Sequence, residues 1–294
     1  FEDWKCDNHP DLVRQLASHF LASLRSCNDV PGDCVTPTQA NAILRGSVLL
    51  HRRDEATLEP FCRAALELLY RDEFVEESSA LELANFLWFL NNARSFDADA
   101  IDKVCTSLLN LQTEQPLSPQ VACRSLRSVT EIMSRAQQSH EWSAELHAII
   151  FRLFHELGES LLSSRMTPSE VSSCLVSYAK AAYTQDMGIF DHLASLMTRD
   201  LGQYSTRQVV DGLWACAKVF SFEKSNPADI SDLYSSYFTY IGKLVVEIVE
   251  RAENLSTKDT ARTLYALGLL EYRNEDRVSV IAQRAKEQSE HFSG

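Results

Sequence analysis

Glycine and proline are scarce in this chain, at 9 and 8 of 294 residues, and no run of alternating polar and apolar residues rich in β-branched types occurs. Those shortages exclude an architecture of short strands joined by tight turns and leave an all-α protein. Long apolar runs are missing too. No segment approaches the roughly 18 uninterrupted apolar residues of a membrane span, and even IGKLVVEIVE carries charges. Metal-ligand spacing is absent: the eight cysteines stand at 6, 27, 34, 62, 105, 123, 174 and 216, with no C-x-x-C and no histidine at ligand distance on the same face. They read as buried free thiols of a reducing compartment, with Cys174 and Cys216 on a core face. Cys27 and Cys34, flanking a Pro-Gly turn, are the one pair placed to form a disulfide.

Signals for catalysis are equally thin. The chain has no G-x-S-x-G, no P-loop and no G-x-G-x-x-G. His140, His147 and His155 share a helical stretch, and HELGE, beginning at His155, lacks the second histidine of a zinc-protease motif. The acidic pairs Glu76/Glu77 and Asp97/Asp99 fall where helices are expected to start, near the positive end of the dipole. No catalytic residue, metal or cofactor is implied. Basic residues are outnumbered, 28 against 41, for a net charge of −13, which at face value argues against a nucleic-acid partner. The chain opens at Phe1 instead of methionine, so an N-terminus that is processed, truncated or only partly ordered is expected.

What is present is a repeat. Six times a Ser or Thr opens a helical pattern and a leucine stands eight positions later. The openers are Thr36, Ser79, Ser118, Thr167, Ser205 and Ser256; the leucines are Leu44, Leu87, Leu126, Leu175, Leu213 and Leu264. Spacings of 43, 39, 49, 38 and 51 residues predict an α-solenoid of about six helix-pair repeats, each too small to bury its own apolar face. Capping chemistry explains the starts: the opener's hydroxyl accepts from a first-turn amide, and an acid or amide three residues on can reciprocate. Gln39, Glu82, Glu170 and Gln208 complete that box, Asp259 is a shorter version, and Ser118 lacks the partner. Pro37, Pro119 and Pro168 occupy the first helical position.

Counting from the cap as zero, positions 4, 7, 8, 11 and 15 share one helix face. In the fifth repeat these are Val209, Gly212, Leu213, Cys216 and Phe220, and in the fourth Val171, Cys174, Leu175, Tyr178 and Ala182, all expected in the core. Second helices are expected at about 57–72, 97–111, 139–163, 186–201, 226–252 and 275–291. Residues 10–27 read as the second helix of a preceding unit, so 1–35 form an N-terminal segment with a partial repeat and 36–294 a single solenoid. Phe292 and the helix before it could cover an exposed solenoid end by docking on a partner.

Opposite the core face lie positions 2, 6, 9 and 13. Across six repeats these 24 places hold Arg45, Arg124, Arg127, Lys180, Arg207, Lys218, Lys258 and Arg262 against only Glu131 and Asp211, so the stripe is +6 while the other 270 residues carry −19. Stacked side by side, first helices would turn the stripe into a basic ribbon suited to a single strand of RNA. Trp88, Trp214 and Tyr265 at position 9 are candidates for base stacking, and Asn85, Asn92, Gln120 and Ser173 add polar groups. A plainer reading has the rings packing between repeats and the cations solvating an exposed face. The unequal residues at position 6 (Ala42, Asn85, Arg124, Ser173, Asp211, Arg262) neither establish nor exclude a base-reading code.

The segments STRQVVDGLWACAKVF, LSTKDTARTLYALGLLEY and MTPSEVSSCLVSYAKAAY resemble the degenerate helix pairs of octotricopeptide and heptatricopeptide repeat proteins, whose units also precede RAP domains and occur in relatives of Fas-activated serine/threonine kinase. The resemblance runs from about residue 36 to 291 and is strongest in the last three repeats. It implies an α-solenoid acting on mitochondrial or chloroplast RNA. No RAP-like segment is present, so no nuclease-type activity is implied. The expectation is a noncatalytic organellar RNA-associated protein, a subunit of the mitochondrial ribosome in the first instance, holding rRNA on the stripe and neighbouring proteins on its acidic faces. The alternative is a protein-only scaffold in a respiratory or ATP synthase complex. A contiguous, open stripe favours the first, and one cut up by salt bridges favours the second.

Overall fold

All six openers cap helices. Ser79 and Thr167 form complete capping boxes with Glu82 and Glu170, and Thr36 with Gln39 and Ser205 with Gln208 exchange the same two hydrogen bonds. Ser118 accepts from the Val121 amide at 3.4 Å without a reciprocating partner. Ser256 accepts from the Asp259 amide and donates its hydroxyl to that carboxylate. Each box satisfies orphan amides that would otherwise cost on the order of 1 kcal/mol.

The computed structural model describes residues 35–51, 55–139, 143–224 and 231–290, with positions 15, 18, 19 and 22. The helices are α1 (Pro37–His51), α2 (Glu55–Leu69), α3 (Asp72–Glu77), α4 (Ala80–Asn92), α5 (Ala98–Glu114), α6 (Pro119–Ser139), α7 (Ala144–Leu162), α8 (Pro168–Ala181), α9 (Met187–Arg199), α10 (Thr206–Lys224), α11 (Ser231–Glu250), α12 (Thr257–Leu269) and α13 (Glu275–Glu290). Single 3-10 turns at Leu201–Gln203 and Ala252–Asn254 precede α10 and α12. No strand occurs among the described residues, and none of their helices is long and apolar enough to cross a membrane. Positions 15, 18, 19 and 22, within the helix expected over 10–27, are helical and exposed; the rest of that stretch, the Cys27–Cys34 pair, His140 and Phe292 lie outside the described residues.

The chain divides into two units, 1–157 and 158–294. In the first, α4 packs between α1 and α6, while α2 packs on both α1 and α5. In the second, α10 packs between α8 and α12, and α11 contacts both α9 and α13. Within each unit, then, first helices stack on first helices and second on second, the consecutive packing of an α-solenoid.

The repeat leucines explain why. Leu44, Leu87, Leu126, Leu175 and Leu213 are each at most 2% exposed, and burying such a side chain contributes about 1.5–3 kcal/mol. Leu264 is only half-buried, because among the described residues no further first helix stacks on α12. Val171, Cys174, Leu175 and Tyr178 are buried, as are Val209, Leu213 and Cys216, and Phe220 is half-buried. Gly212 lies in the same face: a Cβ there would stand 2.3 Å from the Met197 Sδ, so the missing side chain lets α9 approach α10.

Four expectations are corrected. Ala182 is exposed, because α8 ends one residue earlier and Ala182 turns the chain with a left-handed φ of 51°. Glu76 and Glu77 close the short helix α3 instead of opening a helix, while Asp97 does cap α5 by accepting from the Ala100 amide. The helix expected over 57–72 stops at Leu69, and α3 follows it. Finally, α7 starts at Ala144 instead of 139, because α6 runs on to Ser139.

Candidate nucleic-acid interface

The stripe residues sit on the first helices, and the packing of those helices decides which of them meet. In the first unit, α1 and α6 flank α4, so Arg45 and Arg124 come to it from opposite sides. The half-buried Arg124 guanidinium donates through Nη1 to Asn85 Oδ1. Its pKa is lowered first by burial and then by the nearby positive charge of Arg45. A cation depressed by a neighbouring cation is the electrostatic opposite of a salt bridge. Among the described residues, neither Arg45, Arg124 nor Arg127 is ion-paired, and Arg45 and Arg127 are exposed.

The carboxylate one turn back on α4 is committed elsewhere. Glu82 accepts from Thr38 Oγ1 at 2.7 Å and from the Ser79 amide and hydroxyl. Below Asn85 and Arg124 on the same pair of helices, Arg135 on α6 donates to Asn91 Oδ1 at 2.8 Å. The Asn85 amide therefore holds Arg124 without cancelling its charge.

Trp88 stands one turn beyond Asn85 on α4 and is half-buried. Asn92, a polar stripe residue, turns its amide inward to the Trp88 carbonyl at 2.7 Å. Among the described residues no cation covers the Trp88 ring.

The second unit builds the same register with a different charge balance. Arg262 on α12 reaches back to α10 and pairs with Asp211 at 2.6 Å, with side chains 20% and 17% exposed. The guanidinium also lies over the Trp214 ring, 4.4 Å from its centre, so one face of a proposed stacking residue is covered. Arg207 stands 3.8 Å from both Asp211 and Asp259. Burial pushes the Asp211 pKa up, against the pull of Arg262 and Arg207, while burial lowers that of Arg262 and Asp211 works to restore it. Such a pair contributes little net stability, but removing one partner strands a buried charge.

Other stripe residues are spread along the second unit. Lys180 is half-buried and its charge is felt at Asp211; Lys218 lies over the Phe222 ring at 5.0 Å. Lys258 and Tyr265 are exposed. Counting charges on the stripe missed the part played by Asp259. It belongs to the first turn of α12, off the stripe, and meets Arg207 because α10 and α12 pack side by side. A signal was present in the paired register of Thr38 with Glu82 and Arg207 with Asp259, position 2 of one repeat against position 3 of the next.

No family model matches the chain, and no curated protein matches it.

Proposed function

We propose that this chain is a noncatalytic RNA-associated helical-repeat protein that holds a strand of RNA on the stripe side of its first helices. One observation carries the reading: Arg45, Arg124 and Arg127, brought to one side of α1, α4 and α6, have no carboxylate partner among the described residues. Phosphate is the complementary charge, and the half-buried ring of Trp88, over which no cation lies among the described residues, offers a stacking surface. The organellar setting, with the mitochondrial ribosome foremost, rests on the repeat resemblance of STRQVVDGLWACAKVF and its sister segments. The acidic remainder of the surface suits basic protein neighbours in a large assembly.

A protein-only scaffold is the second reading, favoured by the second unit, where Asp211 and Asp259 cut the stripe with ion pairs. Purification of the tagged native protein with and without nuclease, followed by sedimentation, separates the two. Co-migration with crosslinked RNA and ribosomal proteins supports the first; a nuclease-insensitive complex free of RNA supports the second.

A further inference from the structure

Position 6 of the first helices carries a chemical alternation. On α4 it is Asn85, and the position-6 arginine of the next first helix, Arg124, donates to it. On α10 it is Asp211, and the position-6 arginine of the next first helix, Arg262, pairs with it at 2.6 Å. Three positions further on, both helices carry a tryptophan, Trp88 and Trp214. The two contacts are thus the same reach in the same register, made to near-isosteric acceptors that differ by one charge. Asp211 consumes the arginine, which folds over Trp214. Asn85 orients its arginine and leaves the charge intact, and Arg45 adds a second cation from the other side.

We propose that Asn85, Arg124 and Arg45 form a phosphate-binding site, in which the Asn85 amide positions Arg124 and both guanidiniums take one backbone phosphate, while the Asp211–Arg262 pair is a closed version of the same device. This rests on the RNA reading for its ligand but not for its chemistry. Arginine's planar fork matches phosphate oxygens bidentately, and two guanidiniums near enough for one to disfavour the other's charge, neither with a carboxylate partner among the described residues, are stabilised by an anion. Asn85 could not do this work as an aspartate, because the ion pair would compete with the ligand.

The test transplants one repeat's residue into the other. Asn85→Asp installs the arrangement that α10 and α12 already tolerate. It is expected to melt no lower than the parent, yet to bind a short fluorescein-labelled oligouridylate on the order of tenfold more weakly, with the salt slope reduced by about 1. Arg45→Gln, at an exposed position remote from the core, is expected to weaken binding similarly and keeps the test open if Asn85→Asp does not fold. Asp211→Asn, which releases Arg262, is expected to strengthen binding. Inorganic tripolyphosphate serves as a second probe. If it binds in an Asn85→Asp-sensitive manner while the oligouridylate does not bind the parent, the anion site stands and the RNA reading falls. Unchanged binding of both probes by folded Asn85→Asp and by Arg45→Gln overturns the site.

Discussion

Arg262 lies over the ring of Trp214 at 4.4 Å from its centre while pairing with Asp211 through the same guanidinium. That double engagement separates two tryptophans that the repeat pattern makes equivalent. Trp88, with no cation over its ring among the described residues, is expected to report RNA binding and Trp214 is not. Fluorescence titration of Trp88→Phe and Trp214→Phe variants checks this. Loss of the RNA-dependent signal should accompany the Trp88 change and spare the Trp214 change; the reverse result would place the strand on the second unit.

Close approach of helices predicts opposite signs for two glycine substitutions. A Cβ on Gly158 would stand 2.4 Å from both the Tyr178 Oη and the Ile189 Cδ1, whereas Gly242 has nothing within 4 Å. Tyr178 and Ile189 are fully buried, so neither can retreat into solvent. Gly158→Ala should therefore destabilise, overpacking of about 1–3 kcal/mol outweighing the better helix propensity. Gly242→Ala, within α11, should gain on the order of 0.5–1 kcal/mol. Denaturant unfolding of both variants reads the difference.

Burial dictates thiol chemistry. Desolvation first, and then a nearby carboxylate, pushes the Cys216 pKa up to about 12 and that of Cys105 above the ordinary thiol range. At pH 8 both are thiols instead of thiolates, and both are enclosed. Mass mapping after brief iodoacetamide treatment should find Cys105, Cys174 and Cys216 unmodified in the folded protein and alkylated in denaturant. Rapid native labelling of any of the three would contradict the packing of its helix.

Tyr70 and Asp97 tie the end of α2 to the start of α5. The phenol donates to both carboxylate oxygens at 2.8 and 2.9 Å, and this hydrogen bond, ahead of burial, raises the Tyr70 pKa to about 12. Because the folded pKa is the higher one, the contribution to stability is complete below an unfolded value of about 10 and is lost as pH rises through 12. Ultraviolet titration of Asp97→Asn should show one tyrosine returning toward the ordinary value.

These outcomes depend on elements of differing legibility. Six helix starts were readable because capping is local: Thr36, Ser79, Thr167 and Ser205 need only the residue three positions on. The core face followed from the same count. The end of α8 did not, since Ala182 adopts its left-handed turn without the glycine that usually marks one. Nor did α3, whose six residues are too few for a periodic signal. On the stripe, residue types and faces were visible, but partners were not. Whether Arg124 meets an amide or Arg262 an acid depends on the register between stacked helices, which the pattern within one repeat does not state.

The proposed function lays a strand of RNA along the stripe side of α1, α4 and α6. Ultraviolet crosslinking of the native protein to RNA, followed by mass mapping of nucleotide-bearing peptides, reads where that strand lies. Adducts on the peptides containing Arg45, Trp88 and Arg124 to Arg127 are the predicted result. Adducts confined to α2 or α5, with those peptides unmodified, would contradict it.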